Sequence, residues 1–362
     1  MANEGKEISV IYTDLRKVFD TVPHDLLLYK LGKNGVCGKN LEWLKDFLHN
    51  RHQKVRIGNA LSSKIPIASG VPQGGVLSGL LFILYMNDMP RRFQYVKTSM
   101  YADDAKLYAA IEGETSVLQV QSDLERLSVW CRTWRMRLNA QKCFHLHYVP
   151  QNKQKTHPQY QIDGEVLSRR SSALDLGIIV EDTLKFHAQV AKACKKATTL
   201  INTIRRTFVS RNPRFLENMY KTFIRPHLEY CVQVWSPVYA GDTTAIEKVQ
   251  NRFTRLLPQS SAMAHDERNK LLNITSHEVR RLRGDLIYTY KMYESGLFEP
   301  STETRTRGNS RKLKKEHCRN NLRQHSFAAR SVDAWNHLPD CIVTADTLDT
   351  FKARLDLYLN SV

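Results

Sequence analysis

Tyr101-Ala102-Asp103-Asp104 interrupts a strand-like run, Ser99 to Ala110, that is otherwise mostly apolar. Adjacent aspartates are poor strand formers and repel each other, so the run should bend there into a hairpin whose tip carries the charge. Alone, such a pair describes either a solvated turn or a seat for a divalent cation. The choice depends on what else the chain supplies.

Two further stretches bear on it. Residues 7 to 14, Glu-Ile-Ser-Val-Ile-Tyr-Thr-Asp, predict a buried strand that ends in an acid, Asp14. Ser69-Gly70-Val71-Pro72-Gln73-Gly74-Gly75 is too rich in glycine and proline for regular structure and predicts a loop. A strand-end acid, an acidic hairpin tip and a glycine-rich loop between them are the parts of a two-metal phosphoryl-transfer site. There, carboxylates from different elements hold two Mg²⁺ ions about 3.5–4 Å apart. Mg²⁺ takes few protein carboxylates and completes its shell with water and substrate phosphate, which suits three acids better than a closed cage.

The rest of the composition agrees with a polyanionic partner. The 362 residues are 42% hydrophobic and 25% charged, ordinary for a folded protein, but the formal net charge is +18, which points toward nucleic acid. Residues 1–182 hold 24 Lys+Arg against 19 Asp+Glu, and residues 183–362 hold 30 against 17, so the second half carries most of the positive field. Seven cysteines without paired short spacing predict reduced thiols in a nuclear or cytoplasmic setting. His317, Cys318 and His325 fall short of the four ligands a zinc site needs. The longest apolar run, Leu80 to Met86, is too short to span a bilayer, so a soluble chain without a membrane partner is expected.

Periodicity predicts helices over 24–32, 78–88 and 115–139, and the expected architecture is α+β, an antiparallel sheet bearing the acids with these helices behind it. Ser78 is the expected N-cap of the second helix, and Val120, Leu124, Leu127, Cys131, Trp134 and Leu138 mark the stripe of the third. Val55 to Ile67 reads as a hairpin turning at Gly58-Asn59, Lys142 to Val149 as a strand, Pro150 to Pro158 as a loop. Short strands follow over Tyr160 to Ile162, turning at Asp163-Gly164, and over Leu174 to Val180. The pattern then becomes helical, with stripes through Val190, Ile201 and Ile204 and through Ile246, Val249 and Phe253, and between them a helix from about Phe215 that should end before Pro226. Residues 301–330 hold nine Lys+Arg and two Glu and predict an exposed, partly flexible basic arm, followed by a closing helix from Thr347 to Leu359.

In their order and spacing, Asp14-Leu15-Arg16-Lys17-Val18-Phe19-Asp20, Ser69-Gly70-Val71-Pro72-Gln73-Gly74 and Tyr101-Ala102-Asp103-Asp104 resemble the palm motifs of reverse transcriptases. Arg225-Pro226-His227-Leu228-Glu229-Tyr230, Glu247-Lys248-Val249-Gln250 and Trp335-Asn336-His337-Leu338-Pro339 extend the resemblance to non-LTR, LINE-type retrotransposons of the jockey-like kind. It implies a polymerase palm over 1–150 with the fingers largely missing, connecting strands over 151–182, a helical thumb over 183–258 and a basic C-terminal region over 259–362. The implied activity is RNA-directed DNA synthesis on an RNA template and DNA primer from dNTPs, with two Mg²⁺ ions or Mn²⁺. The alternative is a truncated, inactive remnant that still binds RNA or DNA.

The resemblance also implies roles. Asp14 and Asp103 match the two metal-ligating acids, with the Leu15 carbonyl as a further ligand and Asp104 as the third acid, less directly bound. Phe19 matches the aromatic gate that rejects a ribose 2′-hydroxyl, and Gln73 and Gly74 belong to the loop facing the incoming nucleotide. Lys142, after the Asn139-Ala140-Gln141 turn, matches the lysine that protonates the leaving pyrophosphate. The chain departs from the family pattern at Val18, Gly75 and Gly79, and the two glycines loosen a loop that must be preorganised. Only 13 residues precede Asp14, so the chain resembles the palm, thumb and tail of a longer element.

Overall fold

Alternation of buried and half-buried side chains along Glu7–Thr13 marks a strand with one face in a core. In the computed structural model, which describes residues 2–150, 157–301 and 308–361, this strand (β1) is the middle of a five-stranded sheet. Its neighbours are β3 (Asp104–Ile111) and β4 (Phe144–Tyr148), and β2 (Lys97–Tyr101) and β5 (Ser168–Arg170) form the edges. All pairings are antiparallel except β4 with β5.

One face of the sheet presents Ile11, Leu107, Ala109 and Ile111 to a shared core. Leu27 and Leu31 of α1 (His24–Lys33), Phe82 and Tyr85 of α2 (Val76–Met86), and Leu124, Leu127 and Trp130 of α3 (Glu114–Thr133) fill its other side. Each such side chain contributes roughly 1.5–3 kcal/mol by leaving water. The helices are those the periodicity predicts, with two corrections. α2 begins at Val76, and Ser78 is no cap: its hydroxyl donates to the Pro72 carbonyl and ties the helix to the preceding loop. α3 ends at Thr133, where the Trp134 N–H closes on Trp130 and Arg135 turns left-handed at φ 51°. Leu138, though in phase with the helical stripe, lies on an extended segment bridged to Leu15.

The core face of the sheet also hides polar groups. Ser9 and Glu7 of β1 bond the two ring nitrogens of His147 at 3.0 and 3.1 Å, and the Tyr160 hydroxyl donates to Ser9. His145 is different: it is buried edge-on to Tyr160, and neither of its nitrogens has a partner among the described residues. Burial, helped by Arg169 and His147, pushes its pKa down to about 4. A histidine in the unfolded chain takes up its proton near pH 6.5, so His145 favours unfolding as pH falls from there toward 4, by about 3 kcal/mol in all. His145→Phe keeps the ring contact and should flatten the fall of melting temperature between pH 7 and 4.5; equal falls in variant and wild type would refute this.

The described residues divide between Ser171 and Ser172 into two compact units, the second taking in Ala2–Glu4. In the second, Ser172–Asp175 (β6) and Ile178–Glu181 (β7) pair as a hairpin. The single strand expected over Leu174 to Val180 is therefore broken, because Leu176 and Gly177 adopt φ 45° and 87°, the conformation of a tight two-residue turn. Val190, Ala197, Ile201 and Ile204 of α4 (His187–Thr207) pack with Ile246, Val249 and Phe253 of α5 (Ala240–Thr254). The helix that starts at Pro213 does not stop before Pro226. It widens into a π turn, Tyr220–Ile224, and continues as Arg225–Glu229, so that Pro226 falls in the turn directly after the π segment.

A separate core in this unit joins Leu286 and Tyr290 of α6 (His277–Glu294), Trp335 of α7 (Phe327–Asn336) and Phe351 of α8 (Leu348–Ser361). It anchors at two points the stretch expected as an exposed basic arm, whose Lys314, Lys315 and Arg319 are indeed exposed. Asn309 and Leu313 are buried; the Asn309 amide donates to the Trp335 and Leu338 carbonyls, and the Asn336 side chain both accepts from and donates to the Leu313 backbone. Residues 302–307 of that stretch, and 151–156 of the expected loop, lie outside the described residues. No helix among the described residues is long and apolar enough to cross a membrane.

Candidate active site

The register of the sheet decides where the acids go. β1 and β3 pair as far as Thr13↔Ala105, and Asp14 and Asp104 are the residues next beyond that last pair. β2 and β3 close at Tyr101↔Asp104, leaving Ala102 and Asp103 as the two turn residues. All three acids therefore lie at one end of the sheet, Asp14 just past the end of β1 and Asp103 and Asp104 at the turn between β2 and β3. Ala102 holds φ 53°, a left-handed conformation that costs a residue with a Cβ about 1–2 kcal/mol and is retained at the tip. Asp14 and Asp103 are half-buried and Asp104 is exposed. Among the described residues, no three His, Cys, Asp or Glu side chains are gathered closely enough to hold an ion.

Asp14 itself is fixed by the chain that follows α3. Its carbonyl accepts the Asn139 N–H at 2.8 Å, its N–H donates to the Cys143 sulfur at 3.3 Å, and the Arg16 N–H donates to the Arg137 carbonyl at 2.8 Å. Burial raises the Cys143 thiol pKa, which keeps that sulfur neutral beside the acid. The Leu15↔Leu138 bridge is made through these flanking bonds, so it leaves the Leu15 carbonyl unspent. Lys142 follows the turn closed by its own N–H on Asn139, and its Nζ lies 3.9 Å from Asp14 Oδ2. Both side chains are well exposed, so the pair is worth at most about 1 kcal/mol and leaves the lysine free to move. Asp14, Leu15, Lys142, Arg16, Lys17, Thr21, Arg137 and Asn139 line an open cleft of about 500 Å³.

The glycine-rich loop is stapled to the segment after Asp14. Val71 N–H donates to the Phe19 carbonyl and Gly70 N–H to the Val22 carbonyl, both at 2.8 Å, and the His24 ring bonds the Gly70 carbonyl. Ser69 donates to the Asp20 carbonyl, and the Gln73 amide to the Asp20 carboxylate at 2.8 Å. Phe19 rests on Phe82 of α2 with ring centroids 4.6 Å apart. Gly74 turns at φ 80° in open space.

Asp14, Leu15 and Lys142 thus share the cleft, Asp103 and Asp104 stand at the adjoining strand ends, and Phe19 and Gln73 are joined through Asp20. The sequence reading left Asp20 without a partner and did not anticipate Cys143, Arg137 or Asn139 at the site. Only Asp20 carried a signal, its place six residues after Asp14 in the same short motif.

The family model for reverse transcriptase (RNA-dependent DNA polymerase) matches residues 1–199, which contain every one of these positions. The chain belongs to the reverse transcriptase family. Its match to the probable RNA-directed DNA polymerase of the X-element transposon of Drosophila melanogaster is 29% identical and covers 71% of this chain and 29% of that protein. The RNA-directed DNA polymerase of the mobile element jockey, from the same fly, is also 29% identical, over 70% of this chain and 29% of its own length. A telomerase from Candida tropicalis, solved with a fragment of telomeric RNA, aligns at 11% identity over 79% of this chain and 43% of its own, with a TM-score of 0.40. This reverse transcriptase chain therefore spans less than a third of the length of the retrotransposon relatives.

Proposed function

We propose that this chain carries the palm of an RNA-directed DNA polymerase of a non-LTR retrotransposon, extending a DNA primer on an RNA template with dNTPs. The observation that supports it most is the register that brings Asp14, Asp103 and Asp104 to one end of the sheet, with Asp14 on a cleft lined by four basic side chains. The carboxylates of Asp14, Asp103 and Asp104 and the unspent Leu15 carbonyl are an all-oxygen donor set with room for water and phosphate, which fits Mg²⁺ or Mn²⁺. Two such ions would supply activation of the primer 3′-hydroxyl and neutralisation of charge on the α-phosphate. Arg16, Lys17 and Arg137 offset the charge of the triphosphate, and Lys142 gives a proton to the departing pyrophosphate as the bond between the α- and β-phosphates breaks.

Phe19 lies under the sugar, braced by Phe82, so a 2′-hydroxyl would meet its ring. Phe19→Val should raise ribonucleotide incorporation relative to deoxynucleotide by about tenfold or more. Unchanged discrimination in a variant that still extends primers would remove Phe19 from this role. The function itself is tested by primer extension on an RNA template with Mg²⁺ or Mn²⁺. Template-dependent incorporation abolished by EDTA is expected, and incorporation equal to a protein-free blank would overturn the proposal.

A further inference from the structure

Between Asp46 and Asp88 the chain has no acid, and its only four Lys and Arg residues, Arg51, Lys54, Arg56 and Lys64, fall on or beside one β-ribbon. His52–Gln53 pairs with Ile65–Pro66, and Arg56–Ile57 pairs with Ala60–Leu61 around Gly58-Asn59. Every residue from 52 to 66 is exposed. A two-stranded ribbon is marginally stable in water at best, so one held out in this way is a surface waiting for a partner.

Its register identifies the partner's charge. His52↔Pro66 and Gln53↔Ile65 differ by one residue from Arg56↔Leu61 and Ile57↔Ala60, so a bulge at Ser63-Lys64 brings Lys64 across from Lys54. Like charges opposed across a ribbon repel, and no acid of the surrounding sequence relieves them. Lys54 and Arg56 share a face about 6.6 Å apart, a spacing on the order of that between successive phosphates in an extended nucleic-acid strand. Alternation puts Val55 and Ile57 on the opposite face, with Ile65 across from Gln53 on that same side; these three are 60%, 78% and 51% exposed.

We propose that this ribbon binds single-stranded RNA, its basic face taking phosphates and its apolar face taking unpaired bases. A duplex offers phosphate but no free base faces, and the major groove of an A-form duplex is too narrow to admit side chains. The choice of RNA over DNA rests on the polymerase reading above. The ribbon needs neither metal nor dNTP, so its binding is separable from catalysis.

The test is fluorescence anisotropy of a labelled 20-nucleotide RNA with the full chain, in EDTA, over a range of salt. Replacing Lys54, Arg56 and Lys64 together by Ala should weaken binding about tenfold near physiological salt and reduce the slope of log affinity against log salt by about 2. V55S/I57S should weaken binding with the slope unchanged. An unaltered slope in the triple variant, or unaltered affinity in V55S/I57S, would overturn the proposal. Because the residues are exposed, unchanged melting temperatures are expected in both variants. Loss of ribbon binding with primer extension retained in wild type bears on this proposal alone, whereas RNA binding through the ribbon without extension sinks the polymerase reading and leaves the ribbon standing.

Discussion

On the proposed polymerase function, Asp103→Asn should leave the chain folded and able to bind RNA, and should lower primer extension by about a thousandfold or more. The substitution keeps the shape of the turn residue between Tyr101 and Asp104 but replaces a carboxylate oxygen with an amide, which cannot neutralise a hard divalent cation. A thousandfold is about 4 kcal/mol of transition-state stabilisation, within what a metal supplies at a phosphoryl centre. Stability should stay level or rise slightly, since one charge leaves the end of the sheet that also carries Asp104 and Asp14. Asp14→Asn should match it in rate, and Asp104→Asn should cost less. Extension rates measured beside melting temperatures decide the matter: a rate within threefold of wild type for Asp103→Asn removes the tip from the chemistry, and a collapsed melting temperature makes it a fold residue.

Gly70→Ala should be the most damaging substitution in the loop, costing about 3 kcal/mol and sharply raising the KM for dNTPs. Gly70 holds φ 89°, and a Cβ there would stand 2.7 Å from the Phe19 carbonyl oxygen and 2.8 Å from the Asp20 Cα. Both obstacles are backbone, so relief requires the loop to lift from the 19–24 segment. That lift breaks the bonds from Gly70 to Val22 and from Val71 to Phe19, and carries Gln73 away from Asp20. Gly74→Ala is the control. Gly74 has a similar φ of 80° but nothing within 4 Å of the added carbon, so it should lose only about 1 kcal/mol from conformation. Equal losses at the two glycines, by denaturant titration, would show that contact with Phe19 and Asp20 contributes nothing.

Signals carried by neighbouring residues were legible along the chain, and long-range ones were not. Helix stripes such as Leu27 with Leu31, and Leu124 with Leu127, are local signals of a face and were legible, as were turns whose residues demand unusual backbone angles, Gly58-Asn59 and Asp163-Gly164. Leu138 misled because an apolar residue keeps helical phase by chance; what ended the helix was the left-handed Arg135. Ser78 misled because a hydroxyl able to cap was engaged by the Pro72 carbonyl instead. The stretch before Trp335 looked like a solvated arm because charge dominates it, while the buried Asn309 and Leu313 that anchor it are single residues without a period.

Residue types along the chain set the chemistry on offer: an acid at the end of β1, two acids at a hairpin tip, a loop of glycines, and a family whose motifs occur in this order. Folding settled who meets whom. Strand register brought Asp14 and Asp104 to the same end of the sheet, hydrogen bonds to Asn139 and Cys143 fixed the Asp14 backbone with Arg16 held to Arg137, and Gly70 let the loop close on Phe19 and Asp20. These are pairings between residues far apart in the chain, set by hydrogen-bond register and close packing, and a one-dimensional pattern holds the residue types without the partners.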